Sequence, residues 1–502
     1  MSYEKTTWAD RIDDGNKYTV TDNGDGTSRI EYAGTVIQHG TPMNAQNLNK
    51  IENELEALDT GKVDKEQGKG LSSNDYTSAE KTKLGSISVS PYIYMTVAEY
   101  KAITPAAGQL YWVTGSSGTH GVYLDRRCVE GEAVVPLIMT VEIDQSVSDP
   151  SARCTYKDDA VWMTAGSAEW DAFFGHYPCI LTNGVEGVKL DPDNYAKDIN
   201  GSNVDITSIG SSDVMVCFPR LGLRISTTGS KVTVSMTNAP NDPNFEYNAH
   251  TKGSTALDMF YIGAYLGYVS SSKLYSLSGK TPTVSQTIGT FRTQAQARGT
   301  GYEQAAFYQF LFIQCAYLLK YKSTDSQTAV CMGYVKDSHS AATATGGANT
   351  YGMDCENLHP TQKPDKQHQA KCFGIEDIWG NLFWWIDGFY TDANWNIYTA
   401  NSGFNDTGEG YVNNGQGATG STQGYITTVQ GSTKRGFACK TIINSSTAKN
   451  IYYCDWGSMF PKKCANCGGQ WNDENYAGIF RFNVDHDGQS VDRFVGSRLM
   501  YY

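Results

Sequence analysis

The sequence predicts an α+β protein of several domains in which short strands and loops dominate. Its 502 residues include 51 Gly, 32 Tyr and 10 Trp but only 19% charged residues, a composition typical of strands and loops rather than helices. Short apolar runs separated by turn residues continue from residue 87 to about 240. One long apolar segment with helical spacing follows residue 303. At roughly 100 to 200 residues per domain, a chain of this length predicts more than one core.

The first 60 residues predict a β-hairpin followed by a helix. Apolar and polar residues alternate from Trp8 to Val36 around the turn sequence NGDGT (Asn23–Thr27). The helix is too short to be stable alone. Its apolar seam fits a parallel coiled coil of three or more strands, and equally an amphipathic helix packed on its own domain. The seam consists of Leu48, Ile51, Leu55 and Leu58.

Residues 61–88 predict a stalk or linker, because VDKEQGKGLSSNDYTSAEKTKL (Val63–Leu84) is rich in Lys, Ser and Gly with few apolar residues. Residues 89–200 predict a small β-rich domain, with strand-forming runs such as YIYMTVAEY, GQLYWVTG and AVVPLIMTVEI. The C-terminal domain is expected to span residues 201–502, with its boundary between 188 and 212.

Within the C-terminal domain, helical spacing predicts a core helix that opens at Glu303 and runs to Tyr321. Ser338–Gln369 and Asn401–Ser421 are rich in polar residues and Gly and predict loops. Between them lies GIEDIWGNLFWWIDGF (Gly374–Phe389), with a turn at Gly380-Asn381. Its interior side chains are expected to be Trp379, Phe383, Trp384 and Ile386.

The stretch from Cys464 to Tyr502 predicts a binding face, because apolar or glycine positions alternate with rigid or short hydrogen-bonding residues. Such side chains are typical of antibody-like recognition surfaces. A solvated loop explains any single polar residue here, but their density between Gly and aromatic positions favours a binding face. The candidate ligand-binding residues are Trp456, Asn466, Gln470, Asn472, Asp473, Glu474, Asn475, Tyr476, Arg481, Asn483, His486, Asp487, Gln489, Ser490, Asp492, Arg493 and Phe494.

Three separated motifs carry a family resemblance over roughly the C-terminal half. GGQWNDENYAGIF followed by VGSRL resembles the variable region of proteins diversified by diversity-generating retroelements. It is more distantly similar to the C-type-lectin-like fold of formylglycine-generating enzymes. Residues 374–389 resemble the Gly-x-x-Asp-x-x-Gly-Asn-x-x-x-Trp segment of that fold, and NIYYCDWGSMFP (Asn450–Pro461) resembles the stretch before the variable region in gut-phage members. The resemblance implies a lectin-like receptor-binding domain with a variable region at about 454–496, where template-directed mutagenesis exchanges side chains on a fixed fold.

A second resemblance lies at the N-terminus. WADRI with DNGDGT, GTVIQHGTPMNAQNLNKIE and residues 63–84 resemble the attachment regions of tail fibre proteins from phages of Gram-positive bacteria. The two resemblances together imply host recognition at the tip of a phage tail fibre, with residues 1–60 attached to other tail proteins. They also imply a parallel homotrimer, located in the virion and extracellular after host lysis, whose partner is a bacterial cell-surface protein or glycan.

Charge and hydropathy argue against nucleic-acid binding and membrane insertion. The net charge is -13 and no basic cluster is present, whereas binding phosphates requires Lys and Arg. No stretch approaches the roughly 20 apolar residues of a membrane helix. The N-terminus lacks the basic and apolar regions of a secretory signal, so release by host lysis is expected.

Neither a metal nor another cofactor is expected. Cys464 and Cys467 form a single C-x-x-C with no second ligand pair at finger spacing, so unpaired or loosely paired thiols are favoured over zinc. NVDHDGQSVDRF (Asn483–Phe494) imitates the first half of a calcium loop, but Phe494 stands where a bidentate Glu belongs. Both a loose calcium site and a plain acidic turn fit this segment, and His486 is interpreted as an exposed contact residue.

The formylglycine resemblance also raises an enzymatic hypothesis, because those oxidases use cysteine thiols and copper. Cys439, Cys454, Cys464 and Cys467 are the candidates, and none lies in a motif that matches the catalytic pair. Similarity of fold does not transfer chemistry, so no catalytic residue is predicted. A surface-glycan hydrolase with paired carboxylates and a purely structural tail protein are two further hypotheses that the sequence leaves open.

Overall fold

The computed structural model describes residues 18–33, 92–103, 106, 109–114, 120–124, 127–131 and 135–502 except Ser421, together with residues 49, 52, 53 and 55. The chain divides into two compact units, residues 1–90 and 91–502. Leu55 is helical, as expected. The rest of the predicted coiled-coil seam and the predicted stalk at 61–88 lie outside the described residues.

The described part of the first unit is the predicted hairpin. Strands β1 (Tyr18–Asp22) and β2 (Ser28–Tyr32) pair antiparallel. The turn between them closes through a hydrogen bond of 2.9 Å from the Asn23 amide to the Thr27 carbonyl oxygen. Gly24 and Gly26 adopt positive φ angles there, which few other residues tolerate. The turn sequence therefore fixes this hairpin locally.

The second unit begins with a small sheet and one short helix. Strands β3 (Tyr92–Thr96), β4 (Leu110–Thr114), β5 (His120–Leu124) and β6 (Arg127–Gly131) lie side by side in that order. Helix α1 (Val97–Ala102) begins with a capping box between Thr96 and Glu99 and replaces the end of a predicted strand. Tyr100 packs against Tyr111 and Tyr123 at ring-centroid distances of 5.3 and 5.2 Å.

The remaining helices are α2 (Glu169–Phe174), α3 (Ile288–Gln296), α4 (Phe307–Tyr321) and α5 (Ser326–Ala329). The strands up to helix α4 are β7 (Ile138–Asp144), β8 (Cys154–Asp158), β9 (Tyr177–Thr182), β10 (Val185–Asp191), β11 (Asn194–Asp198), β12 (Ser212–Pro219), β13 (Gly222–Thr228), β14 (Lys231–Thr237), β15 (Thr251–Lys252), β16 (Thr255–Ala256), β17 (Met259–Gly263), β18 (Tyr268–Ser270), β19 (Lys273–Tyr275) and β20 (Tyr302–Gln304). After α5 follow β21 (Lys371–Cys372), β22 (Ile375–Glu376), β23 (Phe383–Thr391), β24 (Asn396–Thr399), β25 (Val412–Gln416), β26 (Thr422–Val429), β27 (Cys439–Ile443), β28 (Trp456–Met459), β29 (Cys464–Gly468), β30 (Gly478–His486), β31 (Val495–Gly496) and β32 (Leu499–Tyr501).

Three sheets organise this part of the chain. A four-stranded sheet has the order β13-β14-β7-β8, and a seven-stranded sheet has the order β11-β10-β9-β12-β17-β32-β20. The third sheet has the order β25-β24-β23-β29-β30-β28-β26-β27, with β31 paired to β23. The boundary expected near residue 200 falls inside the seven-stranded sheet, because β9 before it pairs with β12 after it. Residue 200 is therefore not a division of the fold.

Helix α4 is the centre of the core. It is buried from Phe307 to Lys320, as expected for a helix that is apolar on every side. Phe312 contacts Phe260 of the seven-stranded sheet at 5.5 Å between ring centroids, and Phe310 contacts Trp384 of the β23 sheet at 5.3 Å. The helix thus lies between the two sheets.

Two predictions about this region need correction and others are confirmed. Glu303 does not open the helix: it lies in β20, which pairs with the C-terminal strand β32. Asn401–Ser421 is not only a loop, because it contains β25. Ser338–Gln369 contains neither helix nor strand, as predicted. The interior positions of residues 374–389 are also confirmed: Trp379, Phe383, Trp384 and Ile386 are buried.

Arg498 fixes the C-terminal strand from inside the protein. Its fully buried guanidinium donates hydrogen bonds to the carbonyl oxygens of Gly263 at 2.9 Å, Glu376 at 2.8 Å and Asp377 at 3.0 Å. Burial lowers the pKa of Arg498 to about 10, so the side chain remains a cation at neutral pH.

Among the helices that the structure describes, none combines the length and hydropathy required to cross a bilayer.

We predict that Arg498→Met destabilises the folded chain by about 3 kcal/mol or more, because buried carbonyl acceptors lose a charged donor. The free energy of unfolding is obtained from urea titrations followed by fluorescence. Arg493→Met is the matched control, since Arg493 is exposed, and its effect should stay within about 0.5 kcal/mol. Equal losses in the two variants would contradict the role assigned to Arg498.

Candidate binding surface

The β23–β29–β30 part of the third sheet presents two chemically different faces, since alternate strand residues point to opposite sides. On one face Trp384, Cys467 and Phe482 are cross-strand neighbours, and they pack towards helix α4. On the opposite face Asn466 pairs with Asn483, and Asn483 in turn pairs with Ser458 of β28. We call this opposite face the polar face.

The predicted binding residues differ in exposure. Tyr476, Asp487, Gln489 and Arg493 are exposed. Partly buried are Trp456, Gln470, Asn472, Glu474, Asn475, His486, Ser490, Asp492 and Phe494. Asn466, Asp473, Arg481 and Asn483 are buried, which corrects the expectation that the whole set points outward. The reason is that residues 469–477 fold back over β30, which brings Asp473 to Arg481.

Arg481 and Asp473 form a buried ion pair on the polar face. Arg481 Nη2 lies 3.4 Å from Asp473 Oδ2, and both side chains are more than nine-tenths buried. Burial raises the pKa of Asp473, while the Arg481 charge opposes that rise. The guanidinium carbon lies 5.2 Å from the centre of the Phe383 ring. Asp473 thus contacts the Nη2 atom of the guanidinium, whereas Nε and Nη1 have no hydrogen-bond partner among the described residues.

Several buried polar atoms around this ion pair have no hydrogen-bond partner among the described residues. A buried polar atom without a partner lowers stability by about 1 to 3 kcal/mol, so such a concentration is informative. The hydrogen-bonding capacity of these buried atoms is therefore unused within the described part of the chain. They are Oδ1 of Asn466, Asn472 and Asn483, Oε1 of Gln470, and Nε and Nη1 of Arg481.

Three aromatic rings lie beside the polar atoms. Tyr476 contacts Trp456 at 5.0 Å and Tyr425 at 5.5 Å between ring centroids, and Trp456 contacts Tyr425 at 5.4 Å. Tyr476 is 42% exposed, whereas Tyr425 is buried. Arg481 lies 6.0 Å from the Tyr476 ring. Sequence reasoning missed Tyr425, because only the pairing of β26 with β28 brings it to Trp456. We call these rings the aromatic cluster.

Glu474 is held by a framework segment rather than presented freely. Its amide donates to the Val335 carbonyl oxygen at 2.8 Å, and one carboxylate oxygen accepts from the Asp337 amide at 3.2 Å. The other carboxylate oxygen accepts from Lys366 Nζ at 2.6 Å. This hydrogen bond lowers the pKa of Glu474. Lys366 in the long 338–369 loop, and Val335 and Asp337 just before it, therefore hold the loop that carries Tyr476.

The turn after β30 contains a charged cluster around His486. His486 Nδ1 lies 2.6 Å from Asp485 Oδ1 and 3.2 Å from Asn466 Nδ2, and Nε2 lies 3.4 Å from Asp492 Oδ2. Burial alone would lower the pKa of His486, but Asp485 and Asp492 outweigh it and raise that pKa above 6.5. His486 is thus partly buried at this turn, so the prediction that it is exposed is wrong, while its role as a contact residue stays a prediction.

The calcium-loop resemblance corresponds to an acidic turn in the structure. Asp487 Oδ1 accepts hydrogen bonds from the Gln489 amide at 3.0 Å and Ser490 Oγ at 3.1 Å, while Asp485 faces His486. Among the described residues, the acidic set whose ligand atoms lie within 4.8 Å of one another is elsewhere: Asp171, Asp354 and Glu356. The Lys320 ammonium already pairs with Asp171 and Asp354.

The C-terminal cysteines are buried, and the two members of the C-x-x-C lie on opposite faces of one strand. Cys464 and Cys467 are three residues apart on β29, so their side chains point to opposite faces of the sheet, and both are buried. Cys439 and Cys454 are buried as well. Burial raises the pKa of Cys439 and Cys464 to about 12, and it also raises the pKa of Cys454 and of Cys467 well above the ordinary value of a thiol. These thiols are protonated at neutral pH, which opposes nucleophilic thiol chemistry.

Comparison with known proteins finds little. No protein-family model and no curated protein sequence matches the chain. Similar solved structures include three variants of a Major Tropism Determinant. The U1 variant has a TM-score of 0.25 and 11% identity, and the match covers 81% of this chain and 98% of that chain. The P3c and I1 variants each have a TM-score of 0.23 and 12% identity over the same shares. The likeness is weak, so the function proposed for this chain rests on its own residues.

We predict that His486→Gln lowers stability in a pH-dependent way. The pKa of folded His486 is raised above 6.5, so the stability from its charged form is complete below pH 6.5 and is lost as the pH rises through the folded-state value. Asp485 has a pKa lowered below 3.8, so its contribution is complete above pH 3.8 and is lost as the pH falls through the folded-state value. The free energy of unfolding of the wild type should therefore exceed that of His486→Gln by the largest amount between pH 3.8 and 6.5.

Urea midpoints of the two proteins, measured across this range and up to pH 9, test the expectation. His359→Gln is the matched control, because His359 is exposed and lies outside the turn. A gap between wild type and His486→Gln that does not change with pH, or that matches the gap for His359→Gln, would contradict the charged cluster.

Proposed function

We propose that this chain is a non-catalytic recognition protein that binds a bacterial cell-surface receptor through the polar face and the aromatic cluster. The supporting observation is that exposed and half-buried aromatic rings stand next to buried polar atoms with unused hydrogen-bonding capacity. Binding hot spots share this combination, since a rigid aromatic anchor supplies contact area and adjacent polar groups supply direction. A ligand group that reaches Asn472 or Arg481 gains hydrogen bonds that the free protein does not make.

Under this proposal the candidate residues have different tasks. Tyr476 and Trp456 supply the anchor, and Asn472, Gln470 and Arg481 supply directional bonds. The exposed residues Asp487, Gln489 and Arg493 extend the contact surface around the turn after β30. The receptor is a protein or a glycan, and both classes offer the polar and apolar groups that this surface fits.

The finer parts of the proposal rest on the resemblances in the sequence. The chain is the tip of a phage tail fibre, carried in the virion and extracellular after host lysis, with residues 1–60 attached to other tail proteins. The helix seam at 48–58 assembles a parallel homotrimer. Three linked sites would raise avidity by orders of magnitude even where a single contact is weak.

The proposal also includes diversification of residues 454–496 by template-directed mutagenesis. The neighbouring DNA tests it: a near-copy of the last coding segment that differs at adenines should lie beside a reverse transcriptase gene. If neither lies near the coding region, diversification is rejected while receptor binding is still open to its own test.

We predict that Tyr476→Ala weakens binding to intact bacterial cells by about tenfold or more, because the anchor ring is lost. Arg481→Ala and Asn472→Ala should weaken binding in the same direction. The labelled full chain is first screened against a panel of strains, and a strain that binds is used for titrations. Light scattering of the same sample should give three times the chain mass of 55.0 kDa.

Tyr94→Ala is the matched control, because Tyr94 is an exposed tyrosine of the β3–β6 sheet that contacts other rings and lies outside the proposed surface. Melting curves separate lost binding from lost folding, which matters most for the buried Arg481. Receptor recognition by this surface is rejected if no strain binds, or if the three variants bind as tightly as the control. A monomeric mass would reject the trimer alone.

A further inference from the structure

Two buried thiols outside the binding surface lie in direct contact. Cys331 Sγ and Cys355 Sγ are 2.7 Å apart, although the residues are separated by 24 positions along the chain. This distance is shorter than unbonded sulfur atoms normally approach and only modestly longer than a disulfide bond of about 2.05 Å. Cys331 is 2% exposed and Cys355 is fully buried. The polar-face proposal uses neither residue.

The surroundings hold both sulfur atoms in place. The Lys371 amide donates a hydrogen bond to Cys355 Sγ at 2.9 Å, and Trp379 Nε1 donates to the Cys331 carbonyl oxygen at 3.0 Å. Trp379 is fully buried in the segment before β23, so its hydrogen bond ties the backbone of Cys331 to the core. The two thiols are therefore held together by structure that is independent of any bond between them.

A third thiol, that of Cys372, lies nearby, so the pair has two alternatives to a mutual bond: a shared metal site, or a bond from Cys355 to Cys372. A charge on the Cys372 thiol would raise the pKa of Cys355, which indicates that these two thiols are close. Among the described residues, however, Cys331, Cys355 and Cys372 do not form a group whose sulfur atoms all lie within 4.8 Å of one another. Their spacing therefore disfavours a metal site with three thiolate ligands. A bond from Cys355 to Cys372 in place of Cys331 is the remaining competitor.

We propose that Cys331 and Cys355 are a modification site that forms an intramolecular disulfide when the chain meets low-molecular-weight disulfides outside a reducing cytosol. One cysteine thiolate attacks the small disulfide RSSR, forms a mixed disulfide and releases one thiol RSH. The second cysteine then attacks the mixed disulfide, closes the Cys331–Cys355 bond and releases the second RSH. The two protein thiols lose two protons and two electrons, and the small disulfide accepts them.

The reaction is expected to be slow in the native state. Burial raises the pKa of Cys355 well above its ordinary value, and exchange requires a thiolate that the oxidant can reach. Local opening of the 331–355 segment exposes the pair, so mild urea should accelerate oxidation. The bond is therefore expected to persist once formed, because reduction needs the same opening.

The bond would brace the framework behind the candidate binding surface. The closed segment includes Val335 and Asp337, whose backbone groups hold Glu474. Linking Cys331 to Cys355 limits the conformations of the unfolded chain and of the locally opened segment. Oxidation should thus stabilise the support of the loop that carries Tyr476, without any change in the exposed residues.

The test uses the purified full chain, incubated either with dithiothreitol or with oxidised glutathione in mild urea and then returned to buffer. Remaining thiols are alkylated under denaturing conditions, and the digest is analysed by mass spectrometry without reduction. We expect a Cys331–Cys355 linked peptide, the loss of two of the twelve free thiols, and a Tm higher by several degrees in the oxidised sample. Cys372→Ser should retain both effects and Cys355→Ser should abolish both.

Because the linked peptide is sought in the wild-type chain, the outcome does not depend on whether the Cys355→Ser variant folds. A dominant bond between Cys355 and Cys372, or twelve alkylated thiols after oxidation in mild urea, would overturn the proposal. A linked Cys331–Cys355 peptide without any rise in Tm would overturn the bracing role.

Discussion

The position of one buried cation constrains much of the C-terminal half. Arg498 is charged and inaccessible to water, so it needs hydrogen-bond acceptors, and the three carbonyl oxygens that accept from it belong to distant parts of the chain. Gly263 ends β17 in the seven-stranded sheet, whereas Glu376 and Asp377 precede β23 in the other sheet. One side chain thereby ties the seven-stranded sheet to the segment that leads into β23. Because Arg498 lies two residues after residue 496, the same hydrogen bonds also hold the C-terminal end of the 454–496 segment in place.

The beginning of that segment is fixed by a comparable contact. The buried Asp455 carboxylate accepts a hydrogen bond of 2.7 Å from the Phe480 amide, which ties the start of β28 to β30. A Cβ atom at Gly478 would clash with the buried Asp455 carboxylate, so this position excludes other residues. Both anchors act through backbone groups. Exchange of an exposed side chain such as Tyr476 therefore leaves both anchors intact.

Local chemistry explains which elements are predictable from the sequence. The Asn23–Thr27 turn, helix α4 and the interior aromatics Trp379 and Trp384 follow from glycine conformation and apolar periodicity, which act over a few residues. Periodicity misassigns Glu303 to the helix because β20 exists only through its pairing with β32, almost 200 residues later. The burial of Asn466 and Asn483 is also beyond local reasoning: alternation assigns a side chain to a face, but it does not reveal what covers that face.

The buried members of the polar face separate two kinds of variability. Exposed residues such as Gln489 can change with little effect on stability, since the Gln489 side chain makes only a long hydrogen bond of 3.5 Å to Asp406 Oδ2 at the surface. Arg481 and Asp473 cannot change independently, because loss of either partner leaves an uncompensated buried charge. The same pair lies among polar atoms whose hydrogen-bonding capacity is unused. A partner that satisfies those atoms would therefore be distinguished mainly by its polar geometry, and the surrounding aromatic rings would supply affinity common to many partners.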